Sequence, residues 1–259
     1  MLQATGLWAH LGGRAVLNGV DFHARPGQIT AIVGPNGSGK TTLMRRLTGD
    51  LTGPGEVTLG GDPLARLSPR ALALRRAVLP QAGTLGFPFT LREVVRMGHQ
   101  AGAAAPEPGI VEAALDEVGL GAKIDGLFQD MSGGEQARGH LARVRAQVWH
   151  PVQEGRPAWL FVDEPVAALD IGHQLQVMAV LRRFADAGGG VIAVMHDLNL
   201  TAMHAERIVL MEAGRIAAAG PPAEVMTGPL LSRAYRCQLC LNTAPEQGIW
   251  LLPHAASLG

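Results

Sequence analysis

The run Gly34-Pro35-Asn36-Gly37-Ser38-Gly39-Lys40-Thr41-Thr42 constrains this chain more than any other segment. It follows Gln28-Ile-Thr-Ala-Ile-Val33, a short apolar run rich in β-branched residues, which predicts a strand buried on both faces. It precedes a stretch with Leu43 and Leu47 on one helical face, predicting a helix from about Lys40 to Gly49. Strand, glycine-rich turn and helix in this order form a phosphate cradle. Glycines let successive backbone N–H groups converge on phosphate oxygens, and the helix N-terminus adds the positive end of its dipole. Lys40 then reaches the outer phosphates, and the Thr41 hydroxyl is a ligand for magnesium. Only Lys40 and Lys123 are lysine among 22 basic residues, so a lysine in this loop is not filler.

The rest of the composition narrows the class. With 47% apolar and 17% charged residues in 259, the chain reads as a folded globular protein. The formal net charge is zero, so no basic excess points to nucleic acid and no basic run to a lipid-binding tail. No stretch approaches the ~20 apolar residues that span a bilayer. The opening Met1-Leu-Gln-Ala-Thr-Gly-Leu-Trp8 lacks a secretory pattern, giving the expectation of a cytosolic protein that meets membranes only through a partner. Cys237 and Cys240 cannot complete a zinc site alone and are expected to be reduced, partly buried thiols.

Along the chain, Val16, Val20 and Phe22 mark an early strand, Val57 to Leu59 and Ala77 to Leu79 two more. From about Ala82 helical patterns take over: Leu91 to Gly98, Ile110 to Val118 and Gly134 to Val148, with a small-residue connector at 101–106. Strands return at Trp159 to Val162, Val191 to Met195 and Ile208 to Met211, the last folding back as a hairpin through Arg215 to Ala219. Strand–helix alternation broken by a helical block predicts an α/β fold: a parallel-sheet core with a helical subdomain inserted.

Trp159-Leu-Phe-Val-Asp163-Glu164 is a buried strand that delivers two carboxylates to its C-terminal edge. Asp163 is placed to hold magnesium through water, and Glu164 to orient or deprotonate a water facing the terminal phosphate. Met131-Ser132-Gly133-Gly134-Glu135-Gln136 opens a long helix and so makes a second phosphate-binding N-terminus in one chain. Here the sequence resembles the ATP-binding cassette (ABC) family, whose signature is Leu-Ser-Gly-Gly-Gln or a close variant, with Met131 for the usual leucine.

The resemblance covers about residues 1–230 and implies a RecA-like P-loop core with an antiparallel β subdomain and an inserted α-helical subdomain. In those terms the core is about 1–81 and 158–230, the helical subdomain 82–157, and a C-terminal extension 231–259. Gln81 matches the Q-loop that senses the terminal phosphate and contacts magnesium; Asp170, in Ala168-Leu169-Asp170, matches the loop crossing to a partner; His196 matches the switch histidine. Ser132 to Glu135 are implied to close over ATP held by a second copy, in a head-to-tail dimer. Most cassettes stack the adenine on an aromatic where this chain has Leu11. Trp8 and His10 are the substitutes at hand, although strand alternation equally buries Trp8 in the core.

Only about fifty residues separate Gln81 from Ser132, too few for the coiled-coil arms of chromosome-maintenance relatives. One cassette without a fused membrane segment resembles a bacterial importer, which implies a separate two-copy integral permease and a place at the cytoplasmic face of the inner membrane. Gly86-Phe87-Pro88-Phe89-Thr90 follows Gln81, where family members meet the permease; its rings serve either that contact or the core of the helical block. This run, the lengthened Trp149 to Pro157 segment, Gly12 to Leu17 and His196 to Leu200 resemble haem-importer ATPases of Gram-negative bacteria, which implies a periplasmic haem-binding protein further along the system. Ferric-siderophore and cobalamin importer ATPases are the alternative, and a soluble ABC ATPase acting on DNA or ribosomes the distant one.

Overall fold

Period-2 burial organises the first half of the chain, and long apolar strands the second. The structure, a computed structural model, describes residues 1–81, 87–102, 107–243, 246–249 and 252–253. Strands β1 (Leu2–Leu11), β2 (Arg14–Ala24) and β3 (Ile29–Val33) lead to helix α1 (Lys40–Thr48). Then come β4 (Glu56–Leu59), β5 (Asp62–Pro63), α2 (Pro69–Arg75) and β6 (Arg76–Leu79). The helical block is α3 (Leu91–Gly102), α4 (Ile110–Glu117) and α5 (Gly133–Gln147). A small hairpin of β7 (Val152–Gln153) and β8 (Arg156–Pro157) precedes β9 (Trp159–Asp163), α6 (Ile171–Asp186) and β10 (Gly190–Val194). The chain continues through α7 (Leu198–His204), β11 (Arg207–Glu212), β12 (Arg215–Gly220), α8 (Pro222–Val225) and α9 (Gly228–Tyr235).

The central sheet runs β12-β11-β3-β10-β9-β6, parallel except for the β12 edge. Every residue of β3, β9 and β10 is buried, as expected for strands covered on both faces. One face (Ile32, Phe161, Ile192, Val209) packs on α1 through Leu43 and Leu47, and on the antiparallel sheet β2-β1-β4-β5 through Leu7, Leu17 and Phe22. The other (Ala31, Leu160, Val162, Ala193) packs on α6 and continues into the helical block through Leu91, Val94, Leu115 and Leu141. Each buried valine, leucine, isoleucine or phenylalanine among them contributes about 1.5–3 kcal/mol relative to exposure, so the two clusters fix the sheet between its layers.

Within the helical block α3 and α5 touch through main chain. A Cβ on Gly98 would lie 2.0 Å from the Arg143 carbonyl oxygen, and one on Gly102 1.7 Å from that of Gln147. The segment entering α3 is also bonded to the segment entering α5: the Phe128 N–H donates to the Phe89 carbonyl and the Leu91 N–H to Gly126, both at 2.9 Å.

The structure decides two alternatives the sequence left open and changes one expectation. Trp8 does not join the core: it is 40% exposed while Leu7 and Ala9 are buried. Burial at Leu2 and Ala4 sets a phase that would bury Trp8. The β1–β2 register shifts between Ala4 and Leu7, where Gly6 takes φ 59 and donates its N–H to Asp21 at 2.7 Å, and this irregularity turns Trp8 outward. The indole lies over Gly19 instead. Second, Cys237 and Cys240 are exposed, because both follow the end of α9. Third, the two rings of the Phe-Pro-Phe run divide: Phe87 is 71% exposed, whereas Phe89 packs against the helical core. Gly86 and residues 103–106 of the connector lie outside the described residues. Helix α2 and the β7–β8 hairpin carry weak periodicity and are additions to the sequence reading.

Candidate nucleotide-binding site

The C-terminal ends of β3, β10, β9 and β6 open on one edge of the sheet, where open α/β sheets bind ligands. The P-loop leaves β3 there. Gly34 has φ 146 and is wedged so closely that an added Cβ would sit 2.3 Å from the Met211 carbonyl oxygen and 2.9 Å from Ser38 Oγ, so only glycine fits. Gly37 and Gly39 also take positive φ. Lys40 is buried, and its Nζ donates to the Gly34 and Pro35 carbonyls at 2.9 and 3.1 Å. Burial lowers its pKa, against the opposing pull of the Glu164 and Asp163 charges. Two of three ammonium donors therefore hold the loop's own backbone.

Asp163 ends β9 and is buried, near enough to Thr41 for that hydroxyl to favour its ionised form. Among the described residues its Oδ1 has no hydrogen-bond partner, nor has the buried Ser38 Oγ. An ionised oxygen and a hydroxyl side by side, one lone pair unsatisfied, form the hard-oxygen set that magnesium takes; the residues fit that ion. Desolvation, reinforced by Glu164, raises the Asp163 pKa. A raised folded-state value means that this carboxyl favours the fold below its unfolded pKa, and that this contribution is lost as pH rises through the folded one. At neutral pH the buried charge is therefore a burden on the nucleotide-free protein. Asp163→Asn is expected to raise its Tm by about 2–4 °C, the shift that ~1 kcal/mol gives at this size. Thermal unfolding without nucleotide checks this; an unchanged or lower Tm contradicts it.

Glu164 continues the β9–β10 ladder by one rung, its N–H donating to the Val194 carbonyl at 3.1 Å, and then takes the left-handed φ of 53. That conformation costs a non-glycine residue about 1–3 kcal/mol and recurs at functional sites. Oε1 lies 2.5 Å from His196 Nε2, two residues beyond β10. The sheet thus gathers Lys40, Thr41, Asp163, Glu164 and His196 on one edge. Gln81 is exposed two residues after β6.

Ser132 to Glu135 form a separate helix entrance. Ser132 caps α5: its Oγ accepts the Glu135 N–H at 3.3 Å, and Glu135 Oε2 accepts the Ser132 N–H at 3.0 Å. Glu135 also pairs with Lys123, a partner the sequence did not reveal, and these bonds push its pKa down to about 2. Gly134 packs against Leu169 and Ala168, so this entrance and the Asp170 loop share a surface. Asp170 caps α6, accepting from the His173 N–H at 3.0 Å. Among the described residues no hydrogen bond or ion pair joins Ser132–Glu135 to the P-loop.

The geometry agrees with the comparisons. The ABC transporter family profile matches residues 17–167. The hemin import ATP-binding protein of Roseobacter denitrificans is 52% identical over 257 residues, spanning 99% of this chain and 98% of its own length. That of a Jannaschia species is 54% identical, spanning 99% and 95%. Among solved structures, a nucleotide-free ATP-binding cassette from an ABC transporter superposes with a TM-score of 0.77 at 21% identity, covering 90% of this chain and 98% of its own. An ATP-binding subunit of an ABC transporter gives 0.76, covering 92% and 94%. These structures establish the fold alone, and the sequence relatives establish kinship. No helix among the described residues is long and apolar enough to cross a membrane. The chain belongs to the ABC transporter family, as one of its ATP-hydrolysing, ATP-binding subunits.

Proposed function

We propose that this chain is the ATPase that drives inward transport of hemin through a separate permease. Identity above 50% over nearly the whole chain to hemin import ATP-binding proteins carries the cargo assignment. In this reading Gly34 to Thr42 cradle the triphosphate and Lys40 exchanges its loop carbonyls for phosphate oxygens. Thr41, Asp163 and Gln81 hold magnesium, which when bound neutralises charge on the outer phosphates. Glu164 takes the proton of the attacking water, and His196, bonded to it, fixes its orientation and reaches the terminal phosphate. Ser132, Gly133, Gly134 and Glu135 face ATP on a second copy, with Asp170 beside them. The unengaged amides of a capped helix entrance support that placement. The Glu135 carboxylate, held by Ser132 and Lys123, serves that entrance by shaping it.

The reading places the subunit at the cytoplasmic face of the inner membrane, as a head-to-tail dimer under a two-copy permease served by a periplasmic hemin-binding protein. Phe87, exposed beside the core-packed Phe89, supports a permease contact through the first ring alone. Reconstitution of permease, subunit and binding protein in liposomes tests both points. Hemin uptake dependent on ATP is expected, with ferric siderophore and cobalamin left outside. Phe87→Ala is expected to keep Tm within about 1 °C, as an exposed surface change does, yet to lower uptake several-fold. Uptake of an alternative cargo without hemin removes the cargo assignment and leaves the ATPase in place. Full transport by Phe87→Ala moves the contact elsewhere.

A further inference from the structure

Gln136 lies one residue beyond the Met131 to Glu135 run and four residues after the Ser132 cap of α5, and it is half-buried. Its side chain does not point away from the helix end. Nε2 turns back on the segment that leads into α5 and meets three backbone carbonyls: Met131 at 3.1 Å, Phe128 at 3.2 Å and Gln129 at 3.5 Å. Three acceptors around one amide group leave a single chemical assignment. The NH2 faces them, because the amide oxygen would repel all three. Its two hydrogens serve the two nearer carbonyls, and the third lies at the limit of reach. The segment itself is one short 3-10 turn, Phe128 to Asp130, followed by Met131 and Ser132 in extended backbone (φ −80, ψ 148 and φ −59, ψ 157).

This segment decides where the entrance of α5 points. The Gln136 N–H makes the first bond of the helix, to the Ser132 carbonyl at 2.9 Å, so the amides of Gly133 and Gly134 come before it and open from the helix end. Their direction follows from where Phe128 to Met131 set Ser132 down. Phe128 is buried and gives its N–H to the Phe89 carbonyl at 2.9 Å, which fixes that end of the segment. Gln129 and Asp130 are exposed, and the Gln136 amide ties the turn across them to the helix. The entrance of α6 is tied in the same way. Gln174, four residues after the Asp170 cap, donates through Nε2 to the Leu169 and Val166 carbonyls at 3.0 and 3.3 Å. The two tied loops meet where Gly134 packs on Leu169 and Ala168.

We propose that Gln136 is a positioning residue for the nucleotide site shared between two copies: its amide holds the Phe128 to Met131 segment so that the Gly133 and Gly134 amides are already aimed at ATP bound to the second copy. The proposal rests on the reading that Ser132 to Glu135 face that ATP. Gln136 itself does not reach the nucleotide, because its donors are turned on the loop. An entrance set in advance lowers the ordering cost of closing the dimer. It leaves ATP binding to the P-loop of a single copy alone.

The test places Gln136→Met and Gln136→Lys in the full-length chain carrying Glu164→Gln, which binds ATP without turning it over. Methionine keeps the length of the side chain and removes the donors, whereas lysine returns three donors to the same carbonyls. ATP Kd at a concentration where the chain is monomeric, ATP-dependent dimerisation by sedimentation, and Tm are measured for each. One net hydrogen bond is worth about three- to tenfold, and a symmetric dimer contains two such entrances. The dimer dissociation constant of Gln136→Met is therefore expected to rise about ten- to hundredfold. Its ATP Kd should stay within about twofold and its Tm within about 4 °C. Gln136→Lys should dimerise within about threefold of the parent. Parent-like dimerisation of Gln136→Met overturns the proposal. So does an equal loss in Gln136→Lys, which would assign the effect to packing, or a parallel loss of monomer ATP affinity. If the parent binds ATP without dimerising, the two-copy reading falls and this inference with it; a dimerising parent with an indifferent Gln136→Met sinks this inference alone.

Discussion

Replacing Glu164 with glutamine lowers ATP turnover by about 10²–10⁴-fold while ATP affinity stays near that of wild type; that range is what a positioned general base contributes. The substitution preserves size and leaves the backbone bond to Val194 in place. Glutamine also tolerates the left-handed φ of 53 as well as glutamate does. His196 keeps a hydrogen-bonding atom opposite Nε2 at the present 2.5 Å. What disappears is the basicity. Because binding survives and hydrolysis does not, ATP accumulates in the site, and a nucleotide-dependent dimer persists long enough to be isolated. Single-turnover hydrolysis and sedimentation with and without ATP are the paired measurements. Hydrolysis within a few-fold of wild type would falsify the role of Glu164 as base.

The largest stability effect is expected at Gly98. Alanine there places a methyl 2.0 Å from the Arg143 carbonyl oxygen, a main-chain atom inside a helix that no rotamer change can move. Helices α3 and α5 must separate, and the apolar contacts of Val94, Val95 and Leu141 loosen with them. Overpacking of this kind costs about 1–3 kcal/mol where side chains can yield and more where backbone opposes backbone. A loss of ~3 kcal/mol corresponds to a Tm lower by about 6–12 °C in a domain of this size. Gly102→Ala, at 1.7 Å from the Gln147 carbonyl oxygen, should behave alike, and Gly133→Ala, with no atom within 4 Å, should not. Thermal unfolding of the three variants decides the matter. Equal Tm values would show that the helices adjust freely.

Much of the fold could be read because its signals are local. The apolar runs ending at Val33, Asp163 and Met195 must be buried strands, and a parallel sheet brings their C-terminal ends together, which is why Lys40, Thr41, Asp163, Glu164 and His196 share one edge. What escaped depends on phase or on distance along the chain. Trp8 faces outward because the irregularity around Gly6 shifts the alternation, and the letters around it do not announce a bulge. Phe87 and Phe89 have the same chemistry, and only the tertiary position of the turn before α3 exposes one and packs the other. The Gly98–Gly102 pair looks like a weak spot in a helix until the second helix is laid against it. The Lys123–Glu135 pair joins elements that no local pattern links.

The contact of α3 with α5 bears on how a force would travel. Side chains between helices act as soft pads: they rotate, compress and absorb a small displacement before passing it on. At Gly98 and Gly102 there is no pad, and the two helices bear on each other through main chain. The entrances to both helices are stitched together as well, Phe89 to Phe128 and Leu91 to Gly126. The stretch after Phe87 and the stretch before Ser132 are thus joined by main-chain contacts, a short and stiff path between the exposed ring and the helix entrance.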